Sequence, residues 1–254
     1  GSSGTLTRVR LDNNFTVEGT IKANSSTATL NINECIIDNN RADWQKPGIE
    51  TNANIFINNS LIVDNVARSE GNGLSIYTYG ANISISNSTI AGNNFENGSG
   101  NTIYGAENLT IHNSILWNSN TSEEISNSAT VSISYSDIKQ IGNDYTQIST
   151  IDVDPLFTDP DNGDYTLLSG SPCIDAGDPN SALDSDGTVA DMGAYYFNQA
   201  PIYVSPTGSD SNDGSENSPM ATIQAGIDAS SYAVKVLEGE YVVSSNVIIP
   251  QGIN

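Results

Sequence analysis

Three short acidic stretches of the chain carry side-chain oxygens of the kind that bind hard cations. Their carboxylate and amide residues lie within a few positions of one another: Asp159, Asp161, Asn162 and Asp164; Asp184 and Asp186; Asp210, Asn212 and Asp213. Ca²⁺ takes several such oxygens from a flexible turn, so these stretches predict Ca²⁺ sites. No stretch matches the full EF-hand loop, and turns rich in Asp, Asn and Gly explain the same residues without a metal.

A pair of acidic residues, Asp38 and Asp64, follows corresponding apolar positions in two neighbouring repeats of the chain. Hydrolysis of a glycosidic bond requires two carboxyl groups on one face, one of them with a raised pKa. The next two repeats carry no acidic residue at these positions, so the cluster does not extend. The sequence therefore favours a non-enzymatic role and leaves a glycan-cleaving one open.

Aromatic residues offer a different chemistry. Tyr77, Tyr79 and Tyr104 precede the apolar positions of neighbouring repeats. A row of exposed rings would stack on sugars, because each ring offers a flat apolar surface with a polar edge. Packing of the same rings against turns or the core accounts for them equally well. The only histidine, His112, is expected to point into solvent and has no Ser or Cys partner pattern.

The charge of the chain limits its classes of partner. The sequence has 30 Asp and Glu against 8 Lys and Arg, a net charge of −22. Nucleic acids and anionic membranes would be repelled, whereas cations would be attracted. No apolar run approaches the roughly 20 residues that a membrane-spanning helix needs. The two cysteines, Cys35 and Cys173, are far apart in sequence and are expected to be buried free thiols.

The elements that position these residues follow from a repeat in the middle of the chain. Five segments share apolar residues at their first, third and eighth positions, and they begin at Leu30, Ile55, Ile83, Leu109 and Val131. The sixth position is Cys35 in the first segment and serine in the others. A weaker, earlier member is expected to begin at Val9. Repeats of this length without a helical period predict a parallel β-solenoid, whose turns stack about 4.8 Å apart.

Asparagine recurs at the fifth position of three consecutive segments, as Asn59, Asn87 and Asn113. Stacked amides hydrogen-bond along the stacking direction, which predicts an amide ladder at a turn. Asparagine also tolerates the left-handed backbone conformation of turns. Both explanations remain open, and neither implies catalysis.

The repeats resemble the coils of the right-handed parallel β-helix superfamily that includes the pectate lyases. Residues 154–197, called the closing segment below, more closely resemble the carboxyl-terminal segment of secreted bacterial β-helix proteins of the choice-of-anchor type. The matching stretches are Pro155-Leu156-Phe157, Gly163-Asp164-Tyr165, Ser171–Gly177 and Asp191–Tyr195. Ala190 and Tyr196 stand where that family usually has an Arg and an acidic residue. The resemblance implies an all-β, right-handed parallel β-helix and an extracellular or cell-surface location in bacteria or archaea.

Residues 202–230 resemble the opening of the same superfamily, with a first strand, an acidic Gly-rich loop and one short capping helix. Ser218 is expected to cap the amino terminus of this helix, with Pro219 at its first position. The apolar residues that follow would then share one face: Met220, Ile223 and Ile227. A helix of this kind covers the open end of a solenoid core.

The order of these parts is the reverse of that in the superfamily. Coils and the closing segment fill residues 1–197, and the opening segment fills residues 198–254, which predicts two domains. Three explanations remain open: a piece of a tandem array, a permuted chain whose tail caps its own coils, or a tail that caps the next copy. Copies would join head to tail in the third case, because an uncapped solenoid presents unpaired backbone groups for strand addition.

These features favour a structural function, as a repeat unit or self-assembling subunit of an extracellular filament, matrix or adhesive surface protein. The expected partners are copies of the chain itself, with no nucleic acid and no membrane insertion. The resemblance implies an alternative, a polysaccharide-cleaving or glycan-binding module, because pectate-lyase-like enzymes use Ca²⁺ and a basic residue, usually Arg. The four arginines are expected at strand edges and in surface ion pairs instead: Arg8, Arg10, Arg41 and Arg68.

Overall fold

The computed structural model describes the chain except for residues 1, 2, 18, 44–46, 70, 72, 73, 120, 142, 143, 244, 251, 252 and 254, and the side chain of residue 122. It divides into two compact units. The first unit comprises residues 1–182 and 189–196, and the second comprises residues 183–188 and 197–254. Each unit is described by itself.

The first unit is a parallel β-solenoid of about five turns, whose strands form four sheets. Sheet A contains Ser3–Thr7, Thr29–Asn33, Asn54–Asn58, Asn82–Ser86, Asn108–His112, Thr130–Ser134 and Thr146–Ile148. Sheet B contains Arg10–Asp12, Ile36–Asp38, Leu61–Val63, Thr89–Ala91, Ile115–Trp117 and Asp137–Ile138. Sheet C contains Phe15–Thr16, Arg41–Ala42, Val66–Ala67 and Asn94–Phe95. Sheet D contains Ile21–Ala23, Ile49–Thr51, Ile76–Thr78, Gly100–Tyr104 and Thr121–Ser126. The predicted all-β parallel solenoid is confirmed.

Apolar side chains that alternate along the strands fill the core. The third position of the repeat forms one column, in which Ile57 pairs in register with Ile32 and Ile85. The eighth position forms another column, in which Ile62 pairs with Ile90. All five side chains are fully buried. The predicted apolar positions are therefore the core of the solenoid.

The first turn begins earlier than the sequence indicates. Gly4 pairs with Leu30, and Leu11 pairs with Ile37, so Leu11 occupies the eighth position of the repeat. The predicted start at Val9 is therefore wrong. Glycine stands where the later turns carry an apolar residue, which removes the signal that marks the start of the other repeats.

A ladder of buried asparagines lies at the corner between sheets B and C. The Nδ2 atom of Asn40 donates to Oδ1 of Asn65, Asn65 donates to Asn93, and Asn93 donates to Asn118, each at 2.9 Å. The backbone N–H groups of Asn40, Asn65 and Asn93 donate to the same oxygens. Glu124 takes the next position and accepts from the backbone and side-chain nitrogens of Asn118 at 2.8 and 2.9 Å. Each asparagine of the ladder satisfies the buried amide groups of its neighbour only when the turns stack in this one register.

A second ladder lies at the corner between sheets A and B, at the sixth position of the repeat. The backbone N–H of Ser60 donates to Oγ of Ser88, Ser88 donates to Ser114, and Ser114 donates to Ser136, at 3.1–3.2 Å. Each hydroxyl donates in turn to the carbonyl two residues earlier in its own turn, as Ser60 does to Asn58 at 2.7 Å. The serines therefore link one turn to the next.

The asparagines at the fifth position have a conformational role instead. Asn59, Asn87 and Asn113 have φ angles of 48°, 45° and 46°, in the left-handed region. The amide ladder predicted at these residues is wrong, and the ladder forms five or six residues further along. Asparagine is suited to the fifth position because its short polar side chain tolerates this backbone conformation.

The closing segment forms a hairpin along the side of the solenoid. Phe157–Asp159 and Asp164–Leu167 pair antiparallel and are joined by a 3-10 helix at Pro160–Asn162. Phe157 and Tyr165 pack with residues of sheet B: Leu61, Val63, Ala91, Ile36 and Trp117. The apolar outer face of sheet B is therefore covered by chain that lies outside the repeats.

The second unit contains a parallel pair of strands, Ile202–Val204 and Val234–Val236, and one helix at Ile223–Ala229. The single short helix is as predicted, but its expected cap at Ser218 is wrong. Thr222 caps it instead, because its side chain accepts from the backbone N–H of Ala225 at 3.2 Å. None of the described helices is long and apolar enough to span a membrane.

The ladder assignment predicts different costs for two asparagines of the same turn. Replacement Asn65→Ala removes the acceptor of two buried N–H groups of Asn40 and is expected to lower the free energy of unfolding by about 2–4 kcal/mol. Replacement Asn59→Gly keeps the left-handed conformation at an exposed position and is expected to change it by less than about 0.5 kcal/mol. Denaturant unfolding of both variants measures the difference, and equal costs would contradict the assignment.

Candidate functional site

The first predicted Ca²⁺ stretch is the tip of the closing-segment hairpin. Asp159 accepts a hydrogen bond from Nδ2 of Asn162 at 2.8 Å. Asp164 accepts from the backbone and hydroxyl of Thr166 at 3.0 and 2.6 Å. These oxygens shape the turn, and the carboxylate of Asp161 lines a cleft described below.

The other two predicted stretches lie in the second unit. Asp186 accepts hydrogen bonds from the hydroxyl of Thr188 and from the backbone N–H of Gln199, each at 2.7 Å. Burial opposes ionisation of Asp186, but these hydrogen bonds outweigh it and lower its pKa. Asp184 lies in the same turn, where its backbone N–H donates to Thr188.

Residues 210–213 form the loop before the helix of the second unit. Backbone hydrogen bonds from Thr222 lower the pKa of Asp210, and backbone hydrogen bonds from Ser215 lower that of Asp213. Asn212 donates from Nδ2 to the carbonyl of Pro219 at 2.9 Å. Each residue thus has a turn-forming role.

The predicted metal ligands lie in three separate turns, one in the first unit and two in the second. Within the part of the chain that the structure describes, no three acidic, His or Cys side chains are placed to hold one metal ion. Most carboxylates of these turns accept hydrogen bonds from nearby groups, as Asp residues in turns do without a metal. Ca²⁺ at these turns stays a prediction.

The predicted carboxylate pair is brought together on sheet B. Asp38 and Asp64 line a cleft of about 570 Å³ together with Arg10, Asp161 and Tyr195. Asp38 ends the second strand of the sheet, and Asp64 follows the third. Asp64 has a φ angle of 55°. The regular stacking of turns therefore places both acids on one surface.

Arg10 and Asp38 form the strongest charge pair of the cleft. The Nε and Nη2 atoms of Arg10 donate to the two carboxylate oxygens of Asp38 at 3.0 and 2.5 Å. This hydrogen bonding, with the attraction of the two charges, raises the pKa of Arg10. The side chain of Asp38 is nearly buried, and the two hydrogen bonds from Arg10 satisfy one oxygen each of its carboxyl group.

Asp64 has a different environment from Asp38. Burial raises its pKa, the charge of Asp38 raises it further, and a hydrogen bond from Tyr165 opposes both effects. The Tyr165 hydroxyl donates to Oδ1 of Asp64 at 2.5 Å. Burial and this bond also raise the pKa of Tyr165. The cleft therefore combines an Arg-paired carboxylate with a carboxyl group that holds its proton more tightly than usual.

A second cleft, also of about 570 Å³, adjoins the first and shares Asp64 and Asp161 with it. Trp117, Phe157 and Tyr165 line this second cleft. The ammonium group of Lys139 lies 5.5 Å from the centre of the Trp117 ring. Aromatic and charged groups thus follow one another along the edge of the hairpin.

The aromatic row predicted from the sequence lies on sheet D. The rings of Tyr77 and Tyr104 stack with centroids 5.3 Å apart, and Tyr79 meets Tyr77 edge to face at 5.0 Å. The Tyr79 hydroxyl donates to Glu50 at 2.9 Å. All three tyrosines line a cleft of about 470 Å³. Tyr77 and Tyr104 are partly buried and pack on each other, whereas Tyr79 is exposed.

Sequence reasoning missed the closing-segment partners of the cleft. Tyr165 lies 101 residues from Asp64 in the chain, and no local pattern connects them. The four arginines are all in ion pairs: Arg8 with Glu34, Arg10 with Asp38, Arg41 with Glu96 and Arg68 with Asp43. Ion pairing is as expected for Arg41 and Arg68, whereas Arg8 and Arg10 were expected only as exposed charges of an edge strand. Comparisons of the chain with protein-family models, curated proteins and solved structures find no significant match.

A glycine makes the Tyr165 contact possible, and this can be tested. Gly92 has φ +66°, and a Cβ atom built there would collide with the Tyr165 hydroxyl and lie 2.5 Å from Oδ1 of Asp64. Replacement Gly92→Ala is expected to lower the free energy of unfolding by about 2–4 kcal/mol, from backbone strain plus displacement of the hairpin. Gly80 is the matched control, because it has φ +86° and open space around it. Gly80→Ala should cost only the strain, about 1–2 kcal/mol, and equal losses in denaturant unfolding would contradict the packing argument.

Proposed function

We propose that the chain is a structural subunit of an extracellular β-solenoid assembly, in which copies associate end to end. The observation that carries the proposal is the pairing of the first turn. The strands Ser3–Thr7, Arg10–Asp12, Phe15–Thr16 and Ile21–Ala23 each end their sheet, with a partner strand on one side only among the described residues. Strand edges of this kind are templates for addition of further strands.

The core of the first turn supports the same proposal. Leu6 and Leu11 are only partly buried, whereas their partners in the next turn, Ile32 and Ile37, are at most 1% exposed. Phe15 is 64% exposed at the same end. Covering these side chains with another turn would remove apolar surface from water, which favours association.

The second unit carries features that suit the role of the covering partner. Its two strands lie parallel, and its helix packs against them with Gly226 facing Val204 and Val234. Four apolar side chains near its carboxyl end are more than half exposed: Val242, Val243, Ile248 and Ile249. A first coil with an exposed apolar side is complementary to the incompletely covered first turn of another copy.

The distribution of charge favours contact between unlike ends. Residues 1–22 contain three basic and two acidic side chains, a net charge of +1 in a chain of net charge −22. Residues 198–254 contain one basic and six acidic side chains, a net charge of −5. Two like ends attract each other less than two unlike ends do, or they repel each other. The head-to-tail arrangement of copies is therefore the favoured one. The extracellular location rests on the resemblance of the closing segment to those of secreted proteins.

End-to-end association predicts elongated particles that depend on the exposed residues of the second unit. Replacements Val242→Asp and Ile249→Asp together should abolish them, because burying two unpaired carboxylates is costly. Phe56→Asp with Leu168→Asp is the matched control, since it adds the same charge at exposed apolar sites of the first unit away from its first turn. Negative-stain electron microscopy and sedimentation velocity measure particle length.

Particles of a single chain at all concentrations would contradict end-to-end association. The strands that complete the first turn would then come from the same chain or from a longer parent of it. Loss of elongated particles in the control variant as well would also contradict the proposed contact.

A second candidate function, cleavage of a polysaccharide, is favoured by one specific observation. The cleft on sheet B holds two carboxyl groups with different environments, Asp38 paired with Arg10 and Asp64 with a raised pKa. This is the arrangement that acid catalysis at a glycosidic bond uses, with Asp64 as the proton donor and Asp38 as the ionised partner. Stacking of sugar rings on the tyrosines of sheet D would belong to the same function.

Cleavage predicts soluble products from polysaccharide substrates and their loss in one conservative variant. Asp64→Asn keeps an acceptor for the Tyr165 hydroxyl but cannot donate the carboxyl proton, so activity should fall at least about 100-fold. Asp43→Asn is the control, because Asp43 pairs with Arg68 away from the cleft. Reducing-end and unsaturated-product assays measure the reaction, and unchanged activity in Asp64→Asn would exclude Asp64 as the acid.

A further inference from the structure

The last full turn of the solenoid contains a carboxyl group that has no cationic partner among the described residues. Asp137, on sheet B, has no exposed surface. Its Oδ1 atom accepts from the backbone N–H of Val153 at 3.3 Å, and its Oδ2 atom accepts from the thiol of Cys173 at 3.3 Å. Burying a carboxylate without a cation is costly, whereas burying a neutral carboxyl group with hydrogen-bond partners is not.

The thiol partner, Cys173, belongs to the closing segment, and its backbone groups connect other parts of that segment. Cys173 is fully buried, and its carbonyl accepts from the backbone N–H of Met192 at 3.0 Å. Its own N–H donates to the hydroxyl of Ser171, which donates to the carbonyl of Pro155 at 2.6 Å. The contact between Asp137 and Cys173 therefore joins the solenoid to the centre of the closing segment.

The charged groups that face this pair are all acidic. Asp152 and Asp154 act on Asp137 from the loop that follows the last turn, and Asp191 acts on Cys173 from within the closing segment. None of the ion pairs among the described residues includes Asp137. Ionisation of Asp137 would thus place a buried negative charge beside Asp152 and Asp154.

Burial is the largest effect on the ionisation of this group. It raises the pKa of Asp137 to about 7, helped by repulsion from Asp152 and Asp154 and opposed by the hydrogen bonds from Val153 and Cys173. Burial and the neighbouring Asp137 likewise raise the pKa of the Cys173 thiol. Both groups are therefore neutral in the closed arrangement at mildly acidic pH.

We propose that a protonated Asp137 latches the closing segment to the last turn of the solenoid, and that loss of this proton releases the segment locally. The latch uses only groups of this chain and needs no ligand. It goes beyond the proposed assembly function, because it holds or fails whether or not copies associate.

The direction of the pH dependence follows from the two states. With the segment released, Asp137 meets water and its pKa returns to about 3.9. Between about pH 4 and pH 7 the closed state keeps a proton that the open state loses, so the latch weakens as pH rises. The equilibrium constant for opening should rise about tenfold per pH unit in this window and level off above about pH 7.

Cys173 itself reports the opening, because a fully buried thiol reacts only when the segment is released. The full-length chain with Cys35→Ser leaves Cys173 as the only thiol, and the other four repeats already carry serine at that position. Maleimide labelling of Cys173 is measured from pH 5 to pH 8.5. Each rate is divided by the rate for the same chain unfolded in urea, which removes the intrinsic pH dependence of the thiol.

The expected result is a corrected rate that rises about tenfold per pH unit up to about pH 7. The same chain with Asp137→Asn should show a corrected rate that does not change with pH, because its amide keeps an acceptor for Val153 and never ionises. A flat profile without that replacement, or an equal rise with it, would overturn the proposal. The first profile decides the matter even when Asp137→Asn does not fold.

Global unfolding is distinguished by the other thiol. Cys35 is buried in the core of the first unit, and Cys173→Ser leaves it as the only reporter. Cys35 should stay protected across the whole range in which Cys173 becomes reactive. Labelling of both thiols in parallel with pH would mean that the whole solenoid unfolds, which would contradict a local latch.

Discussion

Stacking of turns in one register is the constraint on which the rest of the structure depends. The backbone groups of a turn are satisfied only when they meet those of the next turn, and the buried asparagine and serine ladders allow one alignment. A shift of one residue would expose the isoleucine columns and leave buried amides without partners. The closing segment depends on this alignment, because it forms hydrogen bonds with Asp64, Thr89 and Asn113 on three successive turns.

Features that repeat were readable from the sequence, and single contacts between distant residues were not. The isoleucine columns and the serine position follow from periodicity, since the same environment recurs in every turn. The bond of Tyr165 to Asp64 and that of Cys173 to Asp137 each occur once, between residues far apart in the chain. Asp38 and Asp64 were expected to be neighbours, but the covering hairpin, whose Tyr165 hydroxyl donates to Asp64, left no periodic signal.

The errors of sequence reasoning have local physical causes. Asparagine serves two purposes in this fold, the left-handed turn at Asn59 and the buried rung at Asn65, and composition does not separate them. The helix of the second unit is capped by Thr222 and not by Ser218, because Met220 pairs with Val204 before the helix starts.

The asparagine ladder has a direction, and its two ends differ in chemistry. Each of four asparagines, Asn14, Asn40, Asn65 and Asn93, donates from its amide nitrogen to the oxygen of the following turn, and the first of these bonds, from Asn14 to Asn40, is 2.8 Å long. Glu124 receives the last of these bonds, from Asn118 of its own turn, and both of its carboxyl oxygens accept from that residue. The amide hydrogen bonds of the ladder therefore all point in one direction along the solenoid. Asn14 offers an acceptor at one end, and Glu124 ends the series at the other. An additional asparagine rung fits only ahead of Asn14.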